Sequence, residues 1–113
     1  MVLLAGLPRT GSTLLQNLLA QNPDVYSEGN SGLCTVMWDA KISCEHNAAQ
    51  QLIGAGKDVT FKNALLKSIP NIYYPNTEGK IILDKTRTWV HEANICMARD
   101  YISKDVKTIV MVR

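Results

Sequence analysis

At 113 residues the chain has room for one small domain and not for two. Its 46% hydrophobic content is that of an ordinary globular protein. Twelve basic residues against ten acidic leave a formal charge of +2, so any anion binding must come from local placement and not from the overall field. In chain order, Val2-Leu3-Leu4-Ala5 reads as a short buried strand. A turn with two glycines, Gly6 and Gly11, follows it. Leu14, Leu15, Leu18 and Leu19 then recur at helical spacing and predict a helix with one apolar face. Gln21-Asn22-Pro23-Asp24 is a turn, Val25-Tyr26 a short extended piece, and Ser27 to Gly32 a second polar, glycine-containing loop.

From Leu33 to about Gln51 the pattern is helical, until Gly54-Ala55-Gly56 breaks it. Asp58 stands where it can cap a further helix carrying Phe61, Leu65, Leu66 and Ile69, with Pro70 as its stop. Residues 71–80 form a loop. Ile81-Ile82-Leu83 is a second buried strand, ending on Asp84-Lys85-Thr86-Arg87. A helix is expected from about Trp89 to Ile102, with Trp89, Ala93, Met97 and Tyr101 spaced by four. Thr108 to Val112 is a third strand, closed by Arg113. Three apolar runs separated by helical segments predict an α/β fold: a parallel β-sheet with helices on its faces and right-handed crossovers. Ligands of such sheets bind at the carboxyl ends of the strands. The first turn, Asp84 to Arg87 and Arg113 all fall there. A domain that stops at the end of a core strand leaves one face of that strand uncovered, so residues 1–113 are expected to be a single but truncated domain.

A strand, a glycine turn and a helix in that order build an anion cradle. The glycines let the backbone curl, and successive N–H groups and the positive helix end then face one site. Ser12 and Thr13 add hydroxyls at the first turn, and Arg9 brings a planar fork of donors. The spacing Gly6-x4-Gly11 is that of a nucleoside-triphosphate P-loop, but Ser12 stands where that loop carries its lysine. The string Pro8-Arg9-Thr10-Gly11-Ser12-Thr13-Leu14-Leu15 resembles the 5′-phosphosulfate loop of the sulfotransferases. The resemblance implies a P-loop nucleoside-triphosphatase-like sheet. It also implies an enzyme that moves a sulfonate group from 3′-phosphoadenosine 5′-phosphosulfate (PAPS) to a hydroxyl-bearing acceptor, with PAPS as co-substrate and no metal.

By the same resemblance Arg9, Thr10, Gly11, Ser12 and Thr13 hold the 5′-phosphosulfate, and Arg9 steadies charge on the bridging oxygen as its bond to sulfur breaks. Leu83-Asp84-Lys85-Thr86 is similar to a segment of several sulfotransferase branches, which implies that Lys85 helps hold the sulfonate. Lys107 to Arg113 resembles the strand leading into the family's 3′-phosphate site, making Arg113 a ligand of that phosphate. Glu28 lies where the tyrosyl-protein sulfotransferases place a catalytic glutamate and is the leading general base. His91 and Glu92 come second, while Glu45 and His46 read as solvated helix residues. Trp38, Tyr73, Tyr74 and Trp89 suit an acceptor pocket or a stack on the adenine, and equally the core or its rim. Two other readings stand beside this one. Ile-Ile-Leu-Asp84 also looks like the strand and magnesium-binding aspartate of nucleotide kinases and other nucleoside triphosphatases. A nucleotide-binding fragment without turnover is the third.

No stretch approaches the roughly 20 apolar residues of a membrane span. The N-terminus reaches Pro8 and Arg9 after a very short apolar run with no basic region before it, unlike a signal peptide. A cytoplasmic protein with neither membrane nor nucleic acid as partner is therefore expected. Cys34, Cys44 and Cys96 are odd in number and contain no Cys-x2-Cys pair, so neither a zinc site nor a disulfide framework is predicted.

Overall fold

A computed structural model of the chain describes residues 1–6 and 11–111. Among these, four strands form one sheet: β1 (Val2–Gly6), β2 (Val25–Tyr26), β3 (Ile81–Lys85) and β4 (Lys107–Met111), in the order β2-β3-β1-β4. Every pairing is parallel, with Leu4 opposite Lys85 on one side of β1 and Ile109 on the other. The fold is the α/β class expected. Val25-Tyr26, read only as an extended piece, is the edge strand, paired to Ile81 and Ile82. The connection after β1 leads to one side of the sheet and the one after β3 to the other, so a crevice opens at the carboxyl ends of these strands.

The helices among the described residues are α1 (Ser12–Ala20), α2 (Leu33–Ile42), α3 (Ala49–Gly54), α4 (Thr60–Tyr73) and α5 (Glu92–Tyr101). Side chains of a strand alternate between faces. Leu3 and Ala5 therefore join the main core, which α2, α4 and α5 complete with Leu33, Met37, Leu66 and Met97 around a fully buried Trp89. Leu4, Leu83 and Lys85, equally buried, occupy the opposite face.

Several local expectations change. The helix expected from Leu33 to Gln51 is interrupted at Ser43–Asn47 by a π-helical turn, where Ala48 N–H reaches back to the Ser43 carbonyl at 2.8 Å. The extra residue in that turn shifts the apolar phase, which a 3.6-residue period cannot show. Pro70 does not end α4 but lies inside it. The following turn is held from outside: Tyr73 accepts a hydrogen bond from Gly32 N–H at 2.9 Å, and Tyr74 donates one to Asp84 at 2.6 Å. The start of α4 has no side-chain cap, so Asp58 does not act as one. Trp89 precedes its expected helix, in a 3-10 turn over Arg87–Val90, and His91 in an extended conformation separates the two. Finally, the leucines of α1 do not form its inward face. Leu14 and Leu18 are exposed, Leu15 and Leu19 half-buried, and the buried residues are Ser12 and Gln16.

Asp84 anchors the core face. It is fully buried, and its two oxygens accept from Tyr74 Oη at 2.6 Å and from Trp89 Nε1 at 2.7 Å. Burial first, and the bond to this carboxylate second, push the Tyr74 phenol well above its ordinary value. Asp84→Ala leaves two buried donors unsatisfied at ~1–3 kcal/mol each, so a loss of about 2–6 kcal/mol is expected in urea unfolding. Because the folded state favours the protonated phenol, Tyr74 contributes stability that is fully present below about pH 10 and declines as pH rises beyond it. Tyr74→Phe is therefore expected to flatten the alkaline limb of the stability–pH curve. An unchanged limb excludes Tyr74 as its source.

Candidate functional site

The site begins where β1 ends. Gly11 caps α1 in the left-handed region at φ +82°, a conformation that a side chain strains. α1 starts at the next residue, and the first N–H groups of an α-helix have no intrahelical acceptor. Ser12 is buried and Thr13 exposed. Arg9 and Thr10, the other members of the expected loop, and Arg113, the expected 3′-phosphate ligand, lie outside the described residues.

Lys85 closes the site from β3. Its side chain is buried to 7% exposure, and its Nζ donates to Thr13 Oγ1 at 2.7 Å. Among the described residues no carboxylate lies within ion-pair distance of it; the ion pair found there joins Lys41 to Glu45. A buried ammonium without a counter-charge is costly. A cation held against the first turn of a helix is suited to share an anionic ligand with that helix's N–H groups. Asp84, one residue earlier, faces the other way into the core with both oxygens engaged. The magnesium-binding role considered for Asp84 is corrected accordingly: its carboxylate is a core acceptor, not part of this crevice.

The loop of residues 27–32 forms a second wall. Ser31 N–H donates to the Lys85 carbonyl at 2.8 Å, and Asn30 pairs with Lys85 as an isolated parallel bridge. The buried Gln16 of α1 ties this loop from the other side: its Nε2 reaches Ser27 Oγ at 2.5 Å and the Gly29 carbonyl at 3.1 Å. Sequence reasoning passed over Gln16. Its only signal is its place four residues after Ser12, on the helix face that also carries Thr13's neighbour in the cradle. Glu28 sits exposed in this loop, where Tyr26 Oη donates to its Oε1 at 2.5 Å. That hydrogen bond raises the phenol of Tyr26 above its ordinary value.

A cleft of about 410 Å³ lies between α2 and residues 88–94. It is lined by Cys34, Thr35 and Trp38 of α2 and by Thr88, His91 and Asn94. Thr88, one of its lining residues, has its Oγ1 3.3 Å from Thr86 Oγ1. Desolvation pushes the Cys34 thiol up, which disfavours the reactive thiolate. Of the four aromatic residues offered for a pocket, Trp38 lines this cleft, whereas Trp89 and Tyr74 are core and Tyr73 holds Gly32. His91 is in the cleft wall, and Glu92 opens α5 on the exposed side. Glu45 pairs with Lys41 at 2.8 Å, which lowers its carboxyl pKa, and neither Glu45 nor His46 borders the crevice elements. Among the described residues no group of three or more His, Cys, Asp or Glu could hold a metal ion, and no helix is long and apolar enough to cross a membrane.

A family model described as the sulfotransferase family matches residues 2–99. No curated protein matches the chain.

Gln16 connects the cradle helix to the loop that carries Glu28. Its two hydrogen bonds are worth ~0.5–1.5 kcal/mol each. Gln16→Ala is expected to speed amide hydrogen exchange in residues 27–32 by roughly tenfold or more, while the core strands keep their protection. Unchanged exchange in that loop removes Gln16 as its tie.

Proposed function

The chain belongs to the sulfotransferase family, and from that premise we propose that it transfers the sulfonate of PAPS to an acceptor hydroxyl. The observation that carries this reading is Lys85, a buried cation without a carboxylate partner among the described residues, held at 2.7 Å from Thr13 at the start of α1. The chemistry of the donor set fits a phosphosulfate: a left-handed glycine, helix N–H groups, two hydroxyls and an ammonium converge on one end of the sheet. PAPS supplies a sulfonate joined to a good leaving phosphate. Gly11, Ser12 and Thr13 hold its 5′ end through backbone N–H groups, and Lys85 binds sulfonate oxygens. Arg9 is assigned to the bridging oxygen, Thr10 to the same loop, and Arg113 to the 3′-phosphate.

In the transfer, the acceptor oxygen bonds to sulfur as the bond from sulfur to the bridging oxygen breaks, and the electron pair leaves with the phosphate. The acceptor's proton goes to Glu28. Tyr26 already donates to Oε1 of that carboxylate, leaving Oε2 as the receiving atom. Sulfuryl transfer moves a less charged group than phosphoryl transfer, and Arg9 and Lys85 supply the compensating charge, so this mechanism needs no metal. The kinase reading loses support because the loop has no lysine and Asp84 is engaged in the core.

Two experiments test the reading. Adenosine 3′,5′-bisphosphate is expected to bind without magnesium and more tightly than ATP in calorimetry. Magnesium-dependent ATP binding with no bisphosphate binding overturns it. In turnover assays, Arg9→Ala is expected to lower kcat by about 10²–10³-fold with a far smaller loss of donor affinity, because an interaction made mainly in the transition state acts on kcat. Glu28→Gln is expected to lower kcat and leave bisphosphate binding intact. If His91→Ala does this instead, the proton goes to the imidazole.

A further inference from the structure

Residues 27–29 interrupt the sheet between two parallel pairings with β3. Tyr26 stands opposite Ile82, and the pairing resumes with Asn30 opposite Lys85. Four steps of chain lead from Tyr26 to Asn30 and only three from Ile82 to Lys85, so the loop carries one extra residue, as in a β-bulge. Gly29 within it adopts φ +96°, where a side chain is strained although no atom lies within 4 Å to obstruct one. Ser31 N–H, bonded to the Lys85 carbonyl at 2.8 Å, fixes the far end.

The extra residue decides where Glu28 goes. In an unbroken pairing residue 28 would stand opposite Asp84 and share its face, because side chains alternate along each strand. Tyr26 and Ile82, two residues earlier on each strand, do pack against the core. Glu28 would then be carried in beside a buried carboxylate that already accepts from Tyr74 and Trp89, and two adjacent carboxylates resist ionising together. Instead Glu28 is exposed, with Tyr26 Oη donating to its Oε1. Gln16, at 4% exposure, brackets it: Nε2 reaches Ser27 Oγ on one side of Glu28 in the chain and the Gly29 carbonyl on the other. Four residues earlier on the same helix is Ser12, at the anion cradle.

We propose that Gln16 is a positioning residue for sulfonate transfer: it holds a one-residue bulge that turns Glu28 out of the core and toward the reacting acceptor. The role in transfer rests on the sulfotransferase reading above, whereas the bulge and its tie rest on the strand register.

Urea unfolding tests the register. Deleting Gly29 restores an unbroken pairing and is expected to lower the unfolding midpoint by drawing Glu28 in beside Asp84. Adding Glu28→Val to the deletion is expected to recover most of that loss, while Glu28→Val alone leaves the midpoint unchanged. No recovery overturns the inference. Gln16→Met keeps the buried volume and loses the donor; its test is kinetic, and it decides the inference if the deletion does not fold. Bisphosphate release from PAPS is followed with water as acceptor. The water oxygen bonds to sulfur, the bridging bond breaks with its electron pair on the phosphate, and the proton goes to Glu28. Gln16→Met is expected to slow release about tenfold or more with adenosine 3′,5′-bisphosphate affinity unchanged, and by less than about twofold when Glu28→Gln is already present. An equal loss in both backgrounds, or a loss of affinity that accounts for the slowing, overturns the positioning role. Bisphosphate binding with no release from PAPS overturns the inference alone. No bisphosphate binding overturns the sulfotransferase reading and the positioning role with it, and the unfolding series still decides the bulge.

Discussion

Asp84 and Lys85 are neighbours in the chain and serve opposite faces of the sheet, because successive side chains of a strand point opposite ways. Asp84 goes into the core, where a phenol and an indole N–H satisfy it. Lys85 goes to the side of α1, where Thr13 receives it. A register shift of one residue would exchange them, placing a cation among Trp89 and Tyr74 and a carboxylate at an anion cradle. The pairing of Leu3 with Asp84 and of Leu4 with Lys85 therefore sets both the stability of the core and the sign of the site.

Two walls meet at that lysine. One is the start of α1, made possible by the left-handed Gly11. The other is the loop of residues 27–32, bonded to the Lys85 carbonyl through Ser31 and to α1 through Gln16. α1 turns its leucines outward at positions 14 and 18 and keeps Ser12 and Gln16 inward. A helix at the rim of a binding crevice needs polar groups on its inner face, so an amphipathic pattern alone assigns the wrong side.

The core strands, the helix start after Gly11 and the place of Lys85 at the carboxyl end of a strand were legible in the sequence because they rest on local signals: apolar runs and punctuating glycines. What was not legible depends on contacts distant in sequence. Pro70 reads locally as a stop, and only the bonds of Tyr73 to Gly32 and of Tyr74 to Asp84 show why the helix continues. The π-helical turn at Ser43–Asn47 shifts the helical phase by a residue without any marker in composition. Asp84 beside a lysine at a strand end reads as a solvated pair or a metal ligand until its partners are known. Trp38, Tyr73, Tyr74 and Trp89 read alike in the sequence, and nothing local separates Trp38 in a cleft wall from Trp89 at the centre of the core.

The central position of β1 bears on the order in which the molecule assembles. Val2 pairs with Leu83 on one side and Lys107 on the other, so β1 is synthesised well before either of its partners. At about 5–20 residues per second, ribosomal synthesis keeps β1 waiting on the order of 5–20 s for Lys107. Pairings of such long sequence separation are slow to form, since loop closure precedes any return from contact. The anion cradle hangs from the end of this strand. Its geometry thus waits on those pairings, and a nascent chain displays apolar Val2 to Ala5 throughout that interval.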